Sequence, residues 1–94
     1  MKLKQQLTHE VAGIILDTVR EKKGRLTEIS DLCRINRKHF NVKGFSQLRM
    51  HQLLRIVYSL AVIMRYEEYR AMMEQISRTI ENFSDNYDYL LLDE

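Results

Sequence analysis

Apolar residues recur along this chain at steps of three and four, the spacing that places them on one face of a helix. Val11, Ile14, Ile15 and Val19 keep that spacing, with Leu16 on the flank, after a short basic arm. Thr8 stands where it would cap this first helix, and Gly24 where it would stop it after Lys22 and Lys23, cations suited to a helix C-terminus. Thr27 stands where it would cap a second, short helix from Glu28 to about Arg34, with Ile29, Leu32 and Cys33 as its apolar face. Asn36, a strong N-cap residue, opens a third helix over residues 37–43. In that reading Phe40 and the preceding Ile35 anchor the third helix, Arg37, Lys38 and Asn41 point outward, and Gly44 ends it.

A fourth helix begins at Ser46 or Gln47. Its face, Leu48, Met50, Leu53, Leu54, Ile56, Val57 and Leu60, is broad enough for the central helix of a core. Met64 and Arg65 lead into a fifth, where Tyr66, Tyr69, Met73, Ile76, Ile80 and Phe83 follow at alternating steps of three and four, an a/d seam. The acidic, aromatic tail of residues 84–94 is open to fraying, to strand formation or to covering an apolar patch.

Composition supports helices throughout. The 94 residues make one domain, 45% apolar and 30% charged, as in globular proteins. The sequence has no proline and only three glycines, too few tight turns for a sandwich or barrel. The expected class is all-α. Cys33 is the sole cysteine, the N-terminus lacks a signal-peptide apolar run, and the apolar stretch from Leu60 to Met64 is far short of a membrane span. A reducing cytoplasm and no membrane association are the expectation.

Charge divides the domain. Residues 1–65 hold 13 Lys/Arg against 5 Asp/Glu, a net +8, and residues 66–94 hold 2 against 8, a net −6, which together give the +2 of the whole. Residues 1–65 therefore read as a basic core that meets a polyanion, and residues 66–94 as a helix and acidic tail that pack on it or pair with a second copy. His9, His51 and Cys33 have neither the i, i+4 nor the C-x-x-C spacing of metal sites. There is no phosphate-cradling glycine loop, nucleophile elbow or carboxylate pair. No metal, no cofactor and no enzymatic activity are expected.

Two short helices joined by a tight turn, the second capped by asparagine and rich in Arg, Lys, His and Asn, suit the major groove of double-stranded DNA. That groove admits one helix between flanking phosphates. Lys2, Lys4, Arg25, Lys43 and Arg49 are the candidate phosphate contacts that would set register. The stretch from Ile14 to Val62 resembles the phage-repressor/Cro-like helix-turn-helix family. Ile29-Ser30-Asp31-Leu32-Cys33-Arg34-Ile35-Asn36 stands where that family has leucine-alanine, three residues, then glycine-valine-serine. Met50 to Val62 looks like its later leucine-rich helix. The resemblance implies a compact five-helix lambda-repressor-like domain, here with an extended amphipathic C-terminal helix. It also implies base contacts by Arg37, Lys38, His39 and Asn41, with Asn36 capping or touching phosphate. Ser30 replaces the family's alanine and Arg34 its turn glycine, so the turn must be made without a residue free at positive φ.

The resulting expectation is a sequence-specific transcriptional regulator, a homodimer through Tyr66, Tyr69, Met73, Ile76, Ile80 and Phe83. The alternative is a helical protein-interaction module or antitoxin-like protein, binding a partner through the C-terminal helix with weak or no affinity for DNA.

Overall fold

The computed structural model describes the backbone of residues 3–93 and the side chains of residues 6–83. Within them lie five α-helices and two 3-10 turns and no strand, so the chain is all-α. Helix α1 spans Leu3–Glu21, α2 Leu26–Cys33, α3 Val42–Phe45, α4 Met50–Ile63 and α5 Tyr66–Asp93; the 3-10 turns are Lys23–Arg25 and Arg37–His39.

Helix α4 is the centre of the packing. Its Leu53, Ile56 and Leu60 are buried against Val11, Ile15 and Val19 of α1 and Ile29 and Cys33 of α2, with Ile35 and Phe45 closing one end. Helix α5 packs chiefly along α1, contributing Met72 and Ile76 to the same core. Lys22, just past the end of α1, donates to the Glu68 carboxylate at 2.6 Å near the start of α5, so the two helices run antiparallel. Tyr69, Met73 and Ile76 of the expected seam are thereby turned onto the chain's own core, while Tyr66 and Ile80 remain exposed and Phe83 is half-buried.

Several boundaries differ from the sequence reading. Thr8 lies inside α1 rather than at its cap, because the apolar face continues upstream through Leu7, which packs on the core. Gly24 takes no left-handed conformation; α1 gives way at Glu21 to the 3-10 turn that contains it. Thr27 is not a cap either, since α2 already begins at Leu26. Helix α4 starts at Met50, not Ser46 or Gln47, and the backbone N–H of its N-cap Arg49 donates to the Gln52 side chain at 2.8 Å.

The largest correction concerns residues 37–43, which do not form one helix. Two asparagines divide the segment. Asn36 accepts the Lys38 N–H through its side chain at 3.0 Å, which begins the 3-10 turn. Asn41 is extended, at φ −150° and ψ 170°, and its side chain accepts the Gly44 N–H at 2.7 Å while donating to the Lys38 carbonyl at 2.7 Å. Such local bonds compete with the helical ladder and restart it one turn later as α3. Gly44 is buried within α3 instead of ending a helix, and a Cβ there would overlap the His39 carbonyl oxygen. Phe45, 3% exposed, is the main anchor, with the half-buried Phe40 edge-on to it at 6.1 Å.

The turn after α2 depends on Arg34, the one non-glycine residue at positive φ among those described, at φ 59° and ψ 35°. Its N–H donates to the Ser30 carbonyl at 2.8 Å, and the Ser30 hydroxyl donates to the Ile35 carbonyl at 2.7 Å. From α4, the Arg55 guanidinium donates to the carbonyls of Cys33 at 2.9 Å and Arg34 at 3.3 Å. A cation thus satisfies the last carbonyls of α2 and opposes the helix dipole.

Three substitutions check this account in urea unfolding. Arg55→Met is expected to cost about 1–2 kcal/mol by stranding the turn carbonyls. Arg34→Gly is expected to gain up to about 1 kcal/mol, the relief of left-handed strain exceeding the added chain entropy. Gly44→Ala is expected to cost about 2 kcal/mol or more.

Candidate nucleic-acid interface

Between Leu32 and Tyr66 the chain carries Arg34, Arg37, Lys38, Lys43, Arg49, Arg55 and Arg65 and not one Asp or Glu. All seven cations are exposed. No carboxylate within the span itself neutralises them.

The fold gathers part of the set. The turn after α2, the second 3-10 turn, the end of α3 and the start of α4 enclose a shallow, open cavity of about 270 Å³. Arg34, Asn36, His39, Gln47 and Gln52 bring polar groups to its walls. Asn36 and His39 were expected at the site; Arg34, Gln47 and Gln52 were not. Arg34 is the legible one of the three, because a cation in the turn already faces whatever the turn meets.

The remaining expected contacts have distinct fates. Arg37 is exposed and donates to the Thr27 hydroxyl at 3.1 Å. Lys38 and Lys43 are exposed on either side of Asn41, and with Arg34 and Arg49 their side chains make no hydrogen bond or ion pair within the described residues. Asn41 spends one donor and one acceptor of its amide in the local turn, which fixes the orientation of the group. Lys2 and the side chain of Lys4 lie outside the described residues.

Arg25 stands apart from the uncommitted cations. Its guanidinium donates to both oxygens of Glu28, at 3.1 and 2.7 Å, and to the Ile63 carbonyl at 3.0 Å, tying the start of α2 to the end of α4. The Arg25 hydrogen bonds hold the Glu28 carboxyl below its ordinary 4.5 and raise the Arg25 guanidinium in return. Lys22 lowers the Glu68 carboxyl in the same way, helped by the backbone N–H of Arg65. Within the described residues no cluster of His, Cys, Asp or Glu is arranged to hold a metal ion, and no helix is long and apolar enough to cross a membrane.

No family model matches this chain, and no characterised protein or solved structure does. Function is therefore inferred from the chain's own chemistry.

Asn41→Ala is expected to cost about 1 kcal/mol of stability as a lost helix cap. An asparagine serving only to read a base would leave the urea midpoint unmoved. The carboxyls of Glu28 and Glu68, lower in the folded chain than in the unfolded one, add stability above the ordinary glutamate value that is lost as pH falls through their folded values. The Glu28→Gln/Glu68→Gln double variant is accordingly expected to show a shallower loss of stability on acidification below about pH 5 than the parent chain. Equal slopes in urea titrations across that range would contradict it.

Proposed function

We propose that this chain binds duplex DNA through the acid-free surface of residues 34–49, with α2, the Arg34 turn and the 37–45 segment serving as a reduced helix-turn-helix. The carrying observation is the run from Leu32 to Tyr66, with seven exposed cations, no carboxylate, and four of the cations uncommitted within the described chain. Phosphate contacts by Arg34, Lys38, Lys43 and Arg49 would supply most of the affinity, since such contacts position a protein on DNA whatever the sequence.

Base reading takes a narrower form than a two-turn helix would give. Helix α3 is four residues long and the Asn41 amide is held in the local turn, so side chains of the 3-10 turn, Arg37 and His39, are the groups best placed to reach base edges. Modest sequence discrimination on strong electrostatic binding follows. A transcriptional regulator of this kind would gain its selectivity from a second half-site, which asks for a dimer. Tyr66 and Ile80, exposed on α5, are the seam residues open to such pairing.

The test is fluorescence anisotropy on a labelled random duplex over a range of salt. Engagement of four phosphates predicts log K falling against log salt with a slope of roughly −3 to −4. Lys38→Ala and Lys43→Ala are each expected to flatten that slope by about 1 while leaving the unfolding midpoint in place. No binding at low salt, or a slope indifferent to both substitutions, would sink the reading.

A further inference from the structure

Helix α4 is apolar on two opposite faces, with His51, Gln52, Arg55 and Ser59 along one flank between them. Its inner face, Leu53, Ile56 and Leu60, is buried, and so is Ser59. Its outer face carries Met50, Leu54, Tyr58 and Val62 at steps of four, 42–62% exposed, with Ala61 exposed between them. A helix hydrophobic on both sides normally lies inside a larger core, and a contiguous apolar patch of a few hundred Å² marks an interaction site. Nothing within the described residues covers this one.

Charge and size identify what fits. Arg55 sits along one edge of the ridge by helical register, Arg49 precedes it and Arg65 follows it, and no carboxylate occurs from Leu32 to Tyr66. Two copies meeting ridge to ridge about a two-fold axis would set these cations against each other with no acid between them. The ridge is also small for that purpose. Fourteen residues make a strip about 21 Å long and one helix wide, well under the roughly 800 Å² each partner gives a stable dimer. A single amphipathic helix, with apolar residues at i, i+3, i+4 and i+7, is the occupant of matching dimensions. The three arginines around the ridge and the absence of tryptophan fit an acidic helix better than a lipid surface.

We propose that the outer apolar face of α4 is a docking site for an acidic amphipathic helix of another protein, adjoining the proposed DNA surface at Arg49. The probe is a fluorescein-labelled helical peptide of about 18 residues, leucine along one face and glutamate on its flanks, titrated with the full chain. Saturable binding is expected, about tenfold or more weaker when lysine replaces glutamate in the peptide. Leu54→Glu and Tyr58→Glu, at positions about 60% exposed, are expected to weaken it at least tenfold without shifting the unfolding midpoint. Lys38→Ala is expected to leave peptide affinity unchanged, so failure here and failure of DNA binding are told apart. The proposal is overturned if the acidic peptide does not bind, if it binds no better than the lysine peptide, or if Leu54→Glu leaves its affinity unaltered. It is equally overturned if sedimentation shows a dimer, or flotation shows binding to anionic vesicles, that Leu54→Glu abolishes.

Discussion

The geometry of the basic surface hangs on the Arg55 guanidinium holding the carbonyls of Cys33 and Arg34. A left-handed conformation costs an ordinary residue about 1–2 kcal/mol, and a helix end leaves carbonyls unpaired. Both costs fall at the same place, and one side chain answers them with charge-assisted bonds that also oppose the α2 dipole. Arg55 comes from the helix whose Leu53, Ile56 and Leu60 form the middle of the core, so the turn is fixed to the most buried part of the molecule. The direction of the chain out of that turn then decides where Asn36, the 3-10 turn and α3 lie. The Ser30 hydroxyl on the Ile35 carbonyl locks the next step. Ser30 and Arg34, two of the residues that depart from the repressor-like pattern, are both working parts of this turn.

Four of the five helices were legible because burying one face leaves a period in the sequence that tertiary structure does not have to supply. Their ends were less so. Thr8, Thr27 and Gly24 are residues that often bound helices, but Leu7 and Leu26 find apolar partners in the core and carry the helix past those signals. On α5 the buried positions are Met72 and Ile76 with Tyr69 and Met73 beside them, a stripe of straight-helix period against α1. The heptad reading found Tyr69, Met73 and Ile76 and passed over Met72, because a 3.5-residue seam and a 3.6-residue face diverge by only about 20° per heptad.

The candidate site was read less well, for a reason that lies in asparagine. Asn36 and Asn41 each suit a cap, a turn or a base contact, and the choice is made by which backbone N–H groups come within reach. Asn41, exposed as its polarity predicts, caps α3 and ends the turn before it. Gly44 has a similar ambiguity. A glycine after a basic helix reads as a stop, whereas here its missing side chain admits the His39 carbonyl, a close approach with no local signature. The cations were visible from the start. Which of them would be spent on the chain's own carbonyls and carboxylates was not.

That division of cations explains how one small domain can present two surfaces of different kinds. The carboxylates of Glu28 and Glu68, near either end of the acid-free span, are held by Arg25 and Lys22, which lie outside it. Their negative charge is locally matched, and Arg34, Lys38, Lys43 and Arg49 make no ion pair within the described residues. Near the turn one of these cations, Arg34, lines a shallow cavity with the polar side chains of Asn36, Gln47 and Gln52, which suits phosphate. Along α4 Arg49 and Arg55 border an apolar ridge, which suits a carboxylate carried on a helix. Arg55 belongs to both regions, since its guanidinium closes the turn while its backbone sits beside Leu54. Its bonds to the Cys33 and Arg34 carbonyls fix the charge in place without neutralising it. The same residue that makes the turn possible thus also sets the sign of the field at the edge of the ridge, and an acidic partner is the one that meets no repulsion there.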